Sequence, residues 1–170
     1  MADIESSNPI SDNTDDIIEA GIESIDSANT PLPNSILFLC SQNAVRSPMA
    51  AGIMKKYFGH KISIDSAGIS PKDIDGYAVS VMNEINIDIS QHISLSIEPA
   101  YIASFDAVVC FSQSAKHLAE NICRTVATEC QYWPVYDPVN QAENRADQLI
   151  HYRKLRDQLL EMLKTKFASE

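Results

Sequence analysis

The chain has 170 residues, with 13 Lys plus Arg against 23 Asp plus Glu and a formal net charge of −10. Its length suits one domain, and its 45% hydrophobic residues suit a packed core. The sequence contains no Lys/Arg-rich block, no apolar run that could span a bilayer and no secretory leader, so we expect a soluble, cytoplasmic protein that binds neither nucleic acid nor a membrane.

The negative charge is concentrated at the start of the chain. Residues 1–34 contain eight acidic residues, no Lys or Arg and no aromatic residue. Such a segment cannot bury enough apolar surface to offset the entropy that it loses on ordering. We therefore predict a disordered acidic tail over 1–34 and a single domain over 35–170. The isoleucines of this segment have loose helical spacing, so a weakly formed docking helix within the tail is the alternative to complete disorder.

Strand and helix patterns alternate from Ser35 onward. The continuous apolar run Ile36–Cys40 is typical of a strand buried on both faces. Ser47 and Pro48 suit the N-cap and the first position of a helix, which Gly59 would end. In chain order we then predict strand 62–65, a turn at 66–68, helix 77–87, a polar connection, strand 107–111, helix 112–123, a short strand within 126–133, a loop and helix 143–167. The alternation predicts an α/β fold whose parallel sheet is covered by helices on both faces.

The segment between the first strand and the first helix has the composition of an oxyanion site. It reads CSQNAVRSP, with Arg46 six residues after Cys40. The five residues between them can wrap so that successive backbone N–H groups face one point and bind a tetrahedral anion. They are Ser41, Gln42, Asn43, Ala44 and Val45. The N-terminus of the following helix adds positive potential, which also favours the thiolate form of Cys40.

Two further features of this segment support that interpretation. The planar fork of Arg46 can bind two oxygens of one anion, which a lysine cannot do. The loop contains no glycine, so Asn43 is the best candidate for a left-handed backbone conformation. The alternative is that Cys40 is an inert core thiol at a strand end, but Arg46 would then lack an obvious partner.

Four segments, in the same order, resemble the low-molecular-weight protein tyrosine phosphatases and the related arsenate reductases. They are ILFLCSQNAVRSPMA at 36–50, DSAG at 65–68, IDISQH at 87–92 and WPVYDP at 133–138. The resemblance covers about 35 to 167. It implies a three-layer fold with a four-stranded parallel sheet between helices.

The resemblance also implies a reaction. Cys40 would be the nucleophile, Arg46 the phosphate clamp and Asp137 the general acid, and a cysteinyl-phosphate would form and then be hydrolysed by water that Asp137 activates. The substrate would be a phosphorylated protein or a small phosphate ester. Neither a metal nor a cofactor is needed, because Arg46 and the loop N–H groups supply the positive field.

The same resemblance implies a supporting network around the loop. The hydroxyl of Ser47 would steady the thiolate. Asn43 would be held in its strained conformation by Ser47, Ser66 and His92.

The sequence departs from the family pattern at four places. Gln42 stands where the family has glycine, and Val45 stands where it has a second loop cysteine. No aromatic residue follows Asp137-Pro138 directly, and the loop 69–75 lacks the aromatic residue that usually walls the cleft. Phosphate-monoester chemistry is therefore better supported than a preference for aryl esters or phosphotyrosine.

Two other functions remain open. An arsenate reductase would use the same Cys40 nucleophile, with Cys123 and Cys130, seven residues apart, as resolving thiols. We favour the interpretation that these two cysteines and Cys110 are core thiols. A phosphate- or phosphoprotein-binding module without turnover is the other alternative.

Overall fold

The computed structural model of the protein describes residues 31–167. Its strands are β1 (Ser35–Cys40), β2 (Ser63–Gly68), β3 (Ala107–Cys110) and β4 (Glu129–Tyr132). Its helices are α1 (Arg46–Phe58), α2 (Gly76–Asn83), α3 (Pro99–Ala103), α4 (Gln113–Cys123) and α5 (Arg145–Lys166). All strand pairs are parallel, in the order β2-β1-β3-β4. The predicted tail lies almost entirely outside the described residues, so the division at 34 stays a prediction.

The two faces of the sheet carry separate cores, as the alternation of strand side chains requires. From β1, Ile36 and Phe38 face a core that α1, α2 and α5 complete. Leu37 and Leu39 face a second core that α3 and α4 complete. All four side chains are fully buried, which explains the continuous apolar run. The predicted three-layer α/β fold with a four-stranded parallel sheet is confirmed.

The strand order places a switch point between β1 and β3. After β1 the chain continues into β2 on one side, and β3 then pairs with β1 on the other side. Ligands of open parallel sheets bind at such a point, beyond the carboxyl ends of the strands. Cys40 is the last residue of β1, so the segment singled out in the sequence lies at this edge.

Several predicted boundaries are wrong. Helix α1 begins at Arg46, two residues earlier than predicted, and Val45 precedes it without a side-chain cap, so Ser47 is not the N-cap. Strand β2 includes the predicted turn, because it pairs with β1 as far as Cys40 opposite Gly68. Helix α2 stops at 83 rather than 87, and Asn86 then takes a left-handed φ of 59°.

The helix α3 was missed in a connection predicted to be irregular. Its five residues start at Pro99, which suits the first turn of a helix, and they bury Ile102 completely. A five-residue segment with one inward side chain shows too little periodicity for a helix to be recognised from sequence.

The last helix, α5, is amphipathic. Tyr152, Leu155, Leu159 and Leu163 recur at helical spacing and are buried against the first core. No helix among the described residues is long and apolar enough to cross a bilayer.

Candidate active site

The loop between β1 and α1, residues 40–46, is the centre of the candidate site, and we call it the oxyanion loop. Its carbonyl groups point away from its centre because the segment 69–75 runs alongside it and donates to them. The bonds run from the N–H groups of Ile69, Ser70, Lys72 and Asp75 to the carbonyls of Cys40, Ser41, Gln42 and Ala44, at 3.3, 2.8, 3.0 and 3.1 Å.

The N–H groups of the same loop are left free to bind an anion. Within residues 31–167, those of Ser41, Gln42, Ala44, Val45 and Arg46 donate to no acceptor. Helix α1 starts here without a side-chain cap and without an acidic residue in its first turn. Unpaired N–H groups at a helix N-terminus attract anions, so the loop is built to hold a tetrahedral oxyanion.

Asn43 holds the curvature of the loop. Its φ of 52° lies in the left-handed region that the sequence assigned to it, and its side chain is fully buried. Its Nδ2 donates to the hydroxyls of Ser47, at 2.8 Å, and Ser66, at 2.9 Å. These bonds fix a conformation that is costly for any residue with a Cβ.

The other polar atoms of Asn43 are held from the segment 92–95. Its Oδ1 accepts from Nε2 of His92 at 3.0 Å and from the N–H of Leu95 at 3.0 Å. Its carbonyl oxygen accepts from the hydroxyl of Ser94 at 2.8 Å. The structure therefore brings Ser47, Ser66 and His92 together around Asn43. Ser94 and Leu95 were missed, because a backbone N–H and an isolated serine carry no motif.

Cys40 lies at the floor of the loop, with 3% of its surface exposed. Its Sγ is 2.9 Å from Oγ of Ser47 and accepts from the N–H of Asn43 at 3.2 Å. Since Ser47 Oγ accepts from the amide of Asn43, its own hydroxyl hydrogen is free to point at the sulfur. Both donors therefore converge on the sulfur of Cys40.

Arg46 closes the loop on the side of β3. Its Nη1 donates to the carbonyl of Phe111 at 3.0 Å, directly after the end of β3. The side chain is half-buried, and within the described part of the chain no carboxylate forms an ion pair with it. A half-buried guanidinium without a counter-ion favours binding of an anionic ligand.

Asp137 shares one cleft with the loop. The cleft encloses about 270 Å³, and its lining residues are Cys40, Ser41, Gln42, Ala44, Val45, Arg46, Asp137 and Val139. One carboxylate oxygen of Asp137 accepts from the N–H of Val139 at 3.1 Å, which orients the side chain, and the other oxygen has no hydrogen-bond partner among the described residues. The neighbouring Tyr136 is fixed to α5, where its N–H donates to Gln158 at 2.9 Å.

The departures from the family pattern have structural consequences. Gln42 is exposed and contributes to the cleft, while Val45 is buried and offers no second thiol beside Cys40. The described residues that line the cleft include no aromatic side chain, and Val139 supplies the apolar surface at its rim.

The remaining three cysteines lie across the sheet from this cleft. Cys40 faces the core of α1, α2 and α5, whereas Cys110, Cys123 and Cys130 belong to the core of α3 and α4. No group of three His, Cys, Asp or Glu side chains within 31–167 is arranged to hold a metal ion.

The family described as "Low molecular weight phosphotyrosine protein phosphatase" matches residues 35–169. The chain belongs to this family. An arsenate reductase from Halalkalibacterium halodurans is 33% identical over 132 residues, which cover 76% of this chain and 92% of that protein.

Solved structures agree with the assignment to the low molecular weight phosphatase family. A tyrosine phosphatase from Erwinia amylovora superposes with a TM-score of 0.69 at 18% identity, covering 81% of this chain and 93% of its own. An arsenate reductase in its phosphate-binding state superposes with a TM-score of 0.62 at 27% identity, covering 79% and 97%. The tyrosine phosphatase, at 18% identity, supports the fold alone. The family includes cysteine-based enzymes that are named as phosphatases and as arsenate reductases.

Replacing Gly68 with Ala should displace the oxyanion loop of this family member. A Cβ at Gly68 would lie 2.7 Å from the backbone N of Asn43 and 2.9 Å from the carbonyl carbon of Gln42. Because backbone must move, we expect a loss of about 1–3 kcal/mol in unfolding free energy and weaker phosphate affinity. Denaturant melts and phosphate titration measure both. Gly76→Ala is the matched control, since nothing lies within 4 Å of its Cβ; equal behaviour of the two variants would contradict the tight contact.

His92 should make stability depend on pH. Burial lowers the pKa of His92 from its ordinary value of 6.5, although its bond to the backbone of Asn43 opposes the shift. The unfolded chain therefore binds this proton more readily, so stability is complete above pH 6.5 and falls as the pH drops below it. Thermal melts should show a shallower pH dependence for His92→Gln than for the wild type. The exposed His117→Gln is the control, and parallel curves for the wild type and His92→Gln would refute the prediction.

Proposed function

We propose that this protein is a cysteine-dependent phosphatase that hydrolyses phosphate monoesters through a cysteinyl-phosphate intermediate. The observation that carries the proposal is the oxyanion loop itself. It combines five N–H groups that have no acceptor within 31–167, the Arg46 guanidinium and a buried sulfur with two donors around one centre. Asp137 lines the same cleft, so an acid is available at its mouth.

The first step transfers the phosphoryl group to sulfur. The Cys40 thiolate attacks phosphorus, an S–P bond forms, and the P–O bond to the leaving group breaks. Asp137, protonated, gives its proton to the departing oxygen. The loop N–H groups and the fork of Arg46 bind the equatorial oxygens, where charge is spread in the transition state.

The second step regenerates the enzyme. Asp137, now ionised, takes a proton from water as that water attacks phosphorus. The S–P bond breaks, inorganic phosphate leaves, and the thiolate of Cys40 returns to its donors, the Ser47 hydroxyl and the Asn43 N–H. Asp137 thus gives a proton in the first step and takes one in the second, while the sulfur of Cys40 gains and then loses the phosphoryl group. Neither step changes an oxidation state.

Protein phosphotyrosine and small aryl phosphates are the substrates that we place first. A phenolic oxygen, with an ordinary pKa of about 10, leaves more easily than an alkoxide. The cleft is open at its mouth, and Val139 offers the apolar contact that a substrate ring would use in place of an aromatic wall.

Asp137→Asn should slow poor leaving groups far more than activated ones. An activated phenolate departs with little help from a proton, whereas an unactivated oxygen depends on the acid. Single-turnover rates for a series of aryl phosphates should therefore fall more steeply with leaving-group basicity in the variant than in the wild type. Asp157→Asn, on the exposed face of α5, is the control. Equal losses across the series would mean that Asp137 only shapes its loop.

Arsenate reduction is the second candidate, and the names of the curated relatives favour it. Arsenate fits the same loop, and Cys40 could attack arsenic as it attacks phosphorus. Reduction then needs further thiols that reach the Cys40 adduct. The other three cysteines lie on the opposite face of the sheet from Cys40, which argues against a role as the resolving thiols. They are Cys110, Cys123 and Cys130.

One side-by-side assay separates the candidates. The protein is given an aryl phosphate without a reductant, and separately arsenate with thioredoxin and its reducing system. We expect repeated turnover of the aryl phosphate and no thioredoxin-dependent arsenite. Arsenite production without phosphate release would favour the reductase, and binding of phosphate without turnover of either substrate would favour a phosphate-binding module.

A further inference from the structure

Three thiols lie together on the face of the sheet that does not carry the catalytic cysteine. Cys110 and Cys130 stand on neighbouring strands, with their Sγ atoms 4.0 Å apart. Cys123 is the last residue of α4 and packs against the same core. Cys110 is fully buried, whereas Cys123 and Cys130 are partly exposed. The reaction proposed above uses none of them.

The three thiols are electrostatically unequal. Hydrogen bonding from the Cys110 thiol, helped by Cys123 and by the charge of Lys116, lowers the pKa of Cys130 to about 7 against the opposing effects of burial and Glu120. Burial, followed by the neighbouring Cys130, raises the pKa of Cys123 to about 12. Cys130 is therefore the nucleophile of the group, and its neighbours stay protonated.

We propose that Cys123 and Cys130 form a redox site separate from the Cys40 cleft, in which a hydroperoxide oxidises Cys130 and Cys123 closes a disulfide. In the first step the Cys130 thiolate attacks the peroxide, the O–O bond breaks, and sulfenic acid and an alcohol or water form. In the second step the sulfur of Cys123 displaces hydroxide from that sulfenic acid, and its thiol proton leaves with the oxygen as water. Two thiols are oxidised and one peroxide is reduced.

Strand geometry excludes Cys110 as the resolving partner and favours Cys123. In the register of β3 and β4, Cys110 is opposite Tyr132 and Cys130 is opposite Val108, so the two cysteines are offset by two residues. Strand spacing and rise then separate their Cα atoms by about 8 Å. A disulfide needs less than about 7 Å, and paired strands cannot slide to reach it.

The end of α4 is not part of a strand pair. Cys123 is followed directly by the turn that leads to β4, and Arg124 at the helix C-cap is exposed. Both residues are partly exposed, so a small peroxide can approach them from solvent. The arrangement therefore favours oxidation at the end of the helix over oxidation within the sheet.

Trypsin mapping tests the assignment directly. Lys116, Arg124 and Arg145 place the three cysteines on three different tryptic peptides, 73–116, 117–124 and 125–145. Full-length Cys40→Ser protein is treated with one equivalent of hydrogen peroxide, alkylated and digested without reductant. We expect peptide 117–124 linked to peptide 125–145, and no alkylation at Cys123 or Cys130. The link should disappear on reduction.

Two variants in the same background make the result decisive. Cys110→Ala should still form the link, but more slowly, because the variant lacks the hydrogen bond that lowers the pKa of Cys130 and keeps the resolving thiol of Cys123. Cys123→Ser, at a partly exposed position, should leave Cys130 as a sulfenic acid that a dimedone probe captures. A link between 73–116 and 125–145, or complete alkylation of all three thiols after peroxide treatment, would overturn the proposal. The readout does not involve phosphatase activity, so it stands or falls separately from the proposed function.

Discussion

Cys40→Ser should abolish turnover while the protein stays folded and still binds phosphate. A serine hydroxyl is far less acidic than a thiol, so it remains protonated beside Ser47 and is a poor nucleophile. The loop N–H groups and Arg46, which bind the anion, are unchanged by the substitution. We expect kcat to fall by more than about a thousandfold, which is about 4 kcal/mol of transition-state stabilisation.

Steady-state kinetics and phosphate titration measure the two halves of this prediction. Cys123→Ser is the matched control, because it removes a thiol on the opposite face of the sheet and should keep full activity. Turnover that survives in a homogeneous Cys40→Ser preparation would rule out the mechanism. Loss of phosphate binding in that variant would mean that the sulfur, and not the backbone, organises the loop.

Arg46→Lys should be almost as damaging as Arg46→Ala. The guanidinium donates one hydrogen bond to the carbonyl of Phe111 and still has donors for two oxygens of the anion. A lysine keeps the charge but has no planar fork. It therefore cannot bond to the carbonyl of Phe111 and clamp two oxygens of the anion at the same time. The loss should appear in kcat more than in KM, because the fork is matched to the transition state.

Comparison of the two variants decides how Arg46 acts. A lysine variant with more than about a tenth of the wild-type kcat, a loss under about 1.4 kcal/mol, would show that Arg46 serves only as a point charge. Arg124→Lys, at the exposed end of α4, controls for general effects of the exchange and should be neutral.

The sequence was sufficient to locate the candidate site because its chemistry is local. A buried strand, a five-residue loop and a helix start are contiguous from Ile36 to Pro48, and together they fix where Cys40 and Arg46 lie. The left-handed conformation of Asn43 was also predictable, since the loop contains no glycine. The buried faces of β1 and α5 followed from periodicity in the same way.

What the sequence did not reveal depends on contacts between distant segments. The outward turn of the loop carbonyls comes from backbone N–H groups of 69–75, and backbone donors carry no residue signature. Ser94 and Leu95 reach Asn43 across about fifty positions of the chain for the same reason. The prediction of Ser47 as the N-cap is wrong because its hydroxyl bonds within the loop. That hydroxyl would suit a helix N-terminus but bonds to the side chains of Asn43 and Cys40 instead.

The central claim is that phosphate passes through the sulfur of Cys40, and trapping that intermediate tests it most directly. Since Arg46 is the first basic residue of the chain, trypsin releases Cys40 on peptide 1–46, where it is the sole cysteine. The Asp137→Asn variant, mixed with an aryl phosphate and quenched rapidly, should yield this peptide carrying one phosphoryl group on Cys40, formed as fast as the phenol is released. Phenol release at the same rate with peptide 1–46 unmodified throughout would contradict the account.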